Sequence, residues 1–216
     1  MVQVIAANQI TLEDLETRFG LVFESDPAFF PECRDHTDDL SESERLTLDR
    51  VKSNFLTLLK RSVVLENIVK MVVLSPLLDL AGFYAPPYSI EGETSVDIEV
   101  PDRDEVIRGR IDVLVLNRHL WVLVIESKRT TFDVMVAVPQ AWSYMLDNPD
   151  SGRPRYGLVT NGNLFLFLKL VPQPQPRYAY SRLFSLINPG NELQAVLQIL
   201  RRLGNLVLSE QQGKDR

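Results

Sequence analysis

The sequence predicts an α/β fold, a mixed central β-sheet flanked by helices, with a helical segment on its N-terminal side. Three observations predict it. Apolar residues recur at helical spacing over 41–82, the period shortens to that of strands over 94–128, and helical spacing then returns before a second block of strands. With 216 residues, 45% hydrophobic and 24% charged, the chain has the size and composition of one well-packed globular domain. The expected organisation is an N-terminal extension over 1–40, a main domain over 41–208 and a disordered tail over 209–216.

Taken in order, "ITLEDLETRFG" reads as a short helix capped by Thr11 and stopped by Gly20. The polar, proline-bearing "FESDPAFFPECRDHTDD" reads as a loop. Leu46, Val51, Phe55, Leu58 and Leu59 then recur at helical spacing, behind a Ser41/Glu44 capping-box pattern. Pro76 starts a new turn or kinks the second half, and Gly82 supplies a stop, so one broken helix or two cover 41–82. "TSVDIEV", "RIDVLVL" and "LWVLVIESK" read as strands, with "PDRDEVIRG" as a polar turn and "NRH" as a tight one. Helical spacing returns in "TTFDVMVAVPQAWSYMLDN", capped by Thr130 or Thr131 and interrupted by Pro139. "RYGLVTNG" and "LFLFLKLV" form a hairpin around Asn161-Gly162. "PQPQPR" is a loop, "YAYSRLFSL" a strand, and "NELQAVLQILRRLGNLVL" a final amphipathic helix.

Composition excludes several classes. No apolar run approaches the ~20 residues of a membrane span, and the start lacks the basic flank and apolar core of a signal peptide. The expected location is therefore the cytoplasm, with no membrane partner. One cysteine, Cys33, leaves no internal disulfide and no cysteine-cluster zinc site, and His36 and His119 offer little for histidine-metal chemistry. No G-x-x-x-x-G-K-[ST] phosphate loop is present. The net charge of −6 hides an asymmetry: residues 1–107 hold 21 acidic against 9 basic residues, and residues 108–216 hold 8 against 14. The basic half allows a nucleic-acid face, and uneven solvated charge explains it as well. Trp121, Trp142 and Phe165 are read as core and His119 as exposed.

The chemistry-bearing stretch is "WVLVIESKR", 121–129, where Glu126 and Lys128 arrive as a buried strand ends. Charges at the edge of a core cost free energy unless paired. Asp112 lies in the preceding strand. If the loop is Asn117-Arg118-His119, Leu116 faces Leu120, and Asp112, Glu126 and Lys128 share one sheet face. A two-residue turn would separate them. Two carboxylates suit Mg²⁺, which also accepts phosphate oxygens and neutralises charge growing on a phosphodiester. An adjacent lysine positions or deprotonates the attacking water. A plain salt bridge at a strand end is the competing reading of the E-x-K tripeptide by itself. Gln140 and Tyr144 stand at i, i+4 on one helical face. Arg108, Arg110 and Arg129 are nearest in sequence as phosphate contacts, with Arg153 and Arg155 further along.

Asp112–x13–Glu126-x-Lys128 resembles the PD-(D/E)xK nuclease superfamily. "QAWSY", with Gln140 and Tyr144, resembles the Q-x-x-x-Y element of the N-terminal nuclease domain of type I restriction-enzyme R subunits and of RecB-type nucleases. "LENIVKMVVLSPLLDLAGFY" is similar to the R-subunit N-terminal helix, with Glu66 in the acidic position, and "GLVTNG" to its strand and Thr-Asn-Gly turn. The resemblance covers about 60–170. It departs from the pattern in that Ile111, not proline, precedes Asp112. A literal Pro101-Asp102 lies upstream in a polar stretch, and strand placement favours Asp112.

The resemblance implies a restriction-endonuclease-like fold. It further implies a Mg²⁺- or Mn²⁺-dependent endonuclease acting on double-stranded DNA, without an ATPase motor of its own, alone or with other restriction-modification subunits. Asp112, Glu126 and Lys128 would be catalytic, Asp112, Glu126 and Glu66 would hold metal, and Gln140 and Tyr144 would brace the site or contact DNA. The alternative is a catalytically inactive nuclease-fold module that binds DNA or another protein.

Overall fold

A computed structural model describes residues 3–34, 40–61, 65–99, 105–116, 120–124, 133–146 and 152–212. In parts of the strands, and at the end of the last helix, it places the backbone alone. The architecture is mixed α/β. Nine described strands form one sheet: β1 (Gln3–Ala6), β2 (Val22–Phe23), β3 (Ser89–Glu99), β4 (Glu105–Leu116), β5 (Leu120–Val124), β6 (Arg155–Thr160), β7 (Leu164–Val171), β8 (Arg177–Tyr180) and β9 (Phe184–Ser185). Their order is β1-β4-β5-β6-β7-β8-β2, with β3 also on β4 and β9 also on β7. Strands β3, β4 and β5 form an antiparallel meander, and β6 then runs parallel to β5.

The helices are α1 (Leu12–Phe19), α2 (Glu42–Arg61), α3 (Glu66–Val69), α4 (Ser75–Leu80), α5 (Val138–Leu146) and α6 (Leu193–Gln212). Alternation along β7 separates two cores. Phe165 and Phe167 join Leu48, Phe55, Val69, Leu77 and Leu197 under α2, α3, α4 and α6. Leu166, Leu168 and Leu170 join Leu15, Trp142, Tyr144 and Val159 under α1 and α5. Trp142 and Phe165 are thus core, as expected. No helix of the described residues is long and apolar enough to cross a membrane.

Local signals explain most helix ends. Thr11 and Asp14 form a reciprocal capping box on α1, and Gly20 closes it at φ +66°. Ser41 and Glu44 do the same on α2, Ser41 N–H donating to Glu44 Oε2 at 2.7 Å. Between α3 and α4 the chain widens into a π-helical turn over Lys70–Leu74. Pro76 cannot donate to the carbonyl one turn back and crowds it, and a wider turn at that point relieves the conflict. The stop at Gly82, φ +82°, is a Schellman arrangement: Phe83 N–H donates to Leu78 O and Gly82 N–H to Asp79 O.

Several expectations change. Within the expected N-terminal extension, β1 pairs with β4, β2 pairs with β8, and α1 packs on α5. The "EVIRG" part of the expected turn already belongs to β4, because β1 and β3 both pair there. Pro139 does not interrupt a helix; it sits in the first turn of α5, where no donor is needed, after a 3-10 turn capped by Asp133. The expected caps Thr130 and Thr131 lie outside the described residues. "YAYSRLFSL" splits into β8 and β9, and the helix read as ending before the tail continues to Gln212.

A buried ion pair fastens the 27–33 segment to the sheet. Lys169 Nζ lies 2.7 and 3.0 Å from the two Glu32 carboxylate oxygens and 2.8 Å from Phe29 O. Tyr156 Oη donates to Glu32 at 2.9 Å, and the ammonium lies 5.4–5.8 Å from the ring centres of Phe29, Phe30 and Tyr156. An ammonium this enclosed needs these partners to offset its lost hydration.

Candidate functional site

The candidate site is built where β5 ends. Parallel pairing with β6 brings Val124 beside Thr160, so β5 ends next to the Thr160-Asn161-Gly162 turn. That turn is fixed by its own side chains. Thr160 Oγ1 accepts from Gly162 N–H at 3.0 Å, and Asn161 Oδ1 accepts from Asn163 and Leu164 N–H at 3.0 and 2.8 Å. Gly162 adopts φ +85°, and a Cβ there would come within 2.9 Å of Phe55 and Val69. Only glycine lets α2 and α3 press this closely on the turn.

Glu66 opens α3 one turn before Val69, and is therefore held near the same end of the sheet. It is half-buried and ion-paired with Lys70. On the other face, α5 packs across β3, β4, β5 and β6. Gln140 Nε2 donates to Tyr144 Oη at 2.6 Å, which makes the i, i+4 pair a single unit. Tyr144 is fully buried and Gln140 half-buried, so the unit is packed in the protein and not on a solvent face.

Strand β4 carries Asp112, whose backbone lies one residue before Val113. The register differs from the expected one: Val115 pairs with Leu120 and Val113 with Val122, whereas a three-residue loop would pair Leu116 with Leu120. On its other side β4 keeps a regular ladder with β3, Leu116 opposite Ser89. Glu126, Lys128 and Arg129 lie outside the described residues, as does His119. Alternation carried straight on from Val124 would set Asp112 and Glu126 on opposite faces. Their convergence therefore asks for one irregular residue between Val124 and Glu126.

The arginines fall into different places. Arg108 is exposed but stands four residues back along β4 from Asp112, ~13 Å at ~3.3 Å per residue. Arg110 is nearer, its backbone opposite Ser95. Arg155, expected among the phosphate contacts, is buried and donates to Met145 O near the end of α5. Its guanidinium satisfies a helix carbonyl and is no surface cation. Among the described residues no group of three His, Cys, Asp or Glu side chains is placed to hold a metal, and the Asp112 side chain and Glu126 are not in that set.

One feature went unread in the sequence. "FESDPAFFPECR", taken as a loop, lines a pocket with its aromatic and charged residues. The interleaving of aromatics with both signs of charge was the available signal. Burial pushes the Cys33 thiol in its wall well above the ordinary range, which keeps it protonated and unreactive. A scan against protein-family models matches none, and a search of curated proteins finds no match.

Proposed function

We propose that the chain is a metal-dependent endonuclease of the PD-(D/E)xK, restriction type, hydrolysing phosphodiester bonds of double-stranded DNA. The observation that carries the reading is topological. A three-strand meander delivers Asp112's strand beside β5, helix α5 crosses back over both, and β6 returns parallel to β5. Crevices beyond the carboxyl ends of parallel strands are where open α/β sheets bind ligands, and "ESK" begins two residues past Val124. The bonded Gln140–Tyr144 pair lies on α5, which packs on these strands, and Val69 at the end of α3 packs on Gly162 just past β6.

The donor set suits a hard divalent cation: Asp112 and Glu126, with Glu66 as a third carboxylate, would hold Mg²⁺ or Mn²⁺. The ion supplies charge neutralisation at the phosphodiester. Lys128 would hold and orient the attacking water and take up its proton, and Tyr144 with Gln140 would fix the helix over the strand end. Arg110 and Arg129 are placed in sequence to meet flanking phosphates.

The test is incubation of plasmid DNA with the protein in Mg²⁺ or Mn²⁺, with EDTA as control. Cleavage in metal and none in EDTA is expected. Lys128→Ala should lower the rate by about a hundredfold or more while leaving the fold intact. A variant cutting at the parental rate removes Lys128 from its role. The one-residue shift in register favours a second reading, a nuclease-fold module without activity. Salt-dependent DNA binding in Ca²⁺ with no cleavage in Mg²⁺ or Mn²⁺ would establish that one instead.

A further inference from the structure

Strand β2 leaves the sheet after Phe23, and the chain turns through 24–27 into the segment that Lys169 holds down. Beside β8, past its last pairing with β2, this leaves a cavity of about 520 Å³. That is a size suited to a small organic ligand. Its walls are aromatic: Phe23, half exposed, lies 5.9 Å from the Tyr180 ring centre, and Phe30 closes the floor. Arg34 stands exposed at the mouth, its guanidinium without hydrogen bond or ion pair among the described residues. Arg182 also lines the cavity but is engaged with Glu192 and stacked on Phe184. Asp26 adds a carboxylate, one oxygen of which caps Ala28 N–H at 2.8 Å.

This mixture selects among ligands. An aliphatic chain would leave Arg34 and Asp26 facing apolar surface, which is costly. Inorganic phosphate would pair with Arg34 and leave the aromatic walls in water. A planar base bearing an exocyclic amine, attached to a phosphate, meets all three: ring faces for the base, Asp26 for the amine and Arg34 for the phosphate. We infer that this pocket binds a phosphate-bearing nucleotide.

Strands β5, β6 and β8 all point the same way, because β7 is antiparallel to both β6 and β8. The pocket therefore opens at the same end of the sheet as the close of β5, three strands away, ~14 Å at ~4.8 Å per strand. The nucleotide is either free or one unit of a strand lying along that end. The inference is independent of catalysis, since none of its residues belongs to the candidate cleavage site.

The experiment is calorimetric titration in EDTA with AMP, adenosine, inorganic phosphate and a 5′-phosphorylated deoxyadenylate hexamer. AMP should bind, and adenosine and phosphate should each bind at least about tenfold more weakly. Arg34→Ala should bring AMP down to the level of adenosine. Phe23→Ala should weaken AMP and adenosine together. Circular dichroism should show both variants folded, and Arg34→Ala, at an exposed site, decides the matter if Phe23→Ala is unstable. A hexamer that binds more tightly than AMP and is displaced by it identifies a strand as the source; a weaker hexamer identifies the free nucleotide. No saturable binding of AMP or hexamer, or binding unchanged in both variants, overturns the inference. Binding without plasmid cleavage would sink the nuclease reading and leave this one standing.

Discussion

Arg201, on α6, holds two other helices at once. Its guanidinium donates to Leu80 O, at the end of α4, at 2.7 and 3.1 Å, and to Glu44 in the first turn of α2. Arg201 first, and then the Ser41 hydroxyl and N–H, hold the Glu44 carboxyl down at about 2, against about 4.3 for an unfolded chain. For an acid depressed in this way, the stabilising share is complete above the unfolded value. It is lost as pH falls from there toward 2. Glu44→Gln should therefore melt below the parent at neutral pH, and the gap should close as the buffer is taken toward pH 2, followed by circular dichroism. The Ser41–Glu44 cap was legible because both partners lie within one turn; Arg201 was not, because nothing local ties it to Glu44. Lys169 is a second case. Lys169→Ala strands the Glu32 carboxylate and should cost about 3 kcal/mol in urea unfolding, whereas Lys169→Met with Glu32→Leu should cost much less. Equal losses in the two would refute the pairing as the source.

At the scale of elements, what the sequence showed and what it hid divide along the same line. Helix caps, the Asn161-Gly162 turn and the period change from helix to strand are written in neighbouring residues, and they stand. Strand register is not local. The Asn117-Arg118-His119 stretch suggests a three-residue loop, but Val115, not Leu116, pairs with Leu120, and the β4–β5 ladder is shifted by one. The same holds for β1 and β2, whose short apolar stretches carry no sign of their distant partners. Gly204 makes the point within a helix. Alanine there would gain about 1 kcal/mol of helix propensity, yet its Cβ would lie 2.6 Å from Phe83 and 2.8 Å from the Tyr88 hydroxyl. Gly204→Ala should lower stability by about 1–2 kcal/mol in spite of propensity, and a melting temperature at or above the parent's would show that Phe83 and Tyr88 can yield.

The molecule as a whole sets two different features along one end of its sheet: the close of β5, two residues before Glu126, and the aromatic pocket beside β8. The first was visible in the sequence as an expectation because Asp112, Glu126 and Lys128 are chemically conspicuous beside an apolar run. The second was not, because its walls come from residues 23–34 and 179–182, which only the β2–β8 pairing brings together. That pairing also sets an order of assembly. Val22 and Phe23 are separated from Arg177 and Tyr178 by most of the sheet's other strands, so this border closes only when distant parts of the chain have met. Until it does, a short apolar strand and the edge of β8 are both unmatched. Helices with local caps can form without waiting for that contact, whereas the sheet cannot be closed by neighbours alone. Such long-range closure makes for slow, all-or-none assembly.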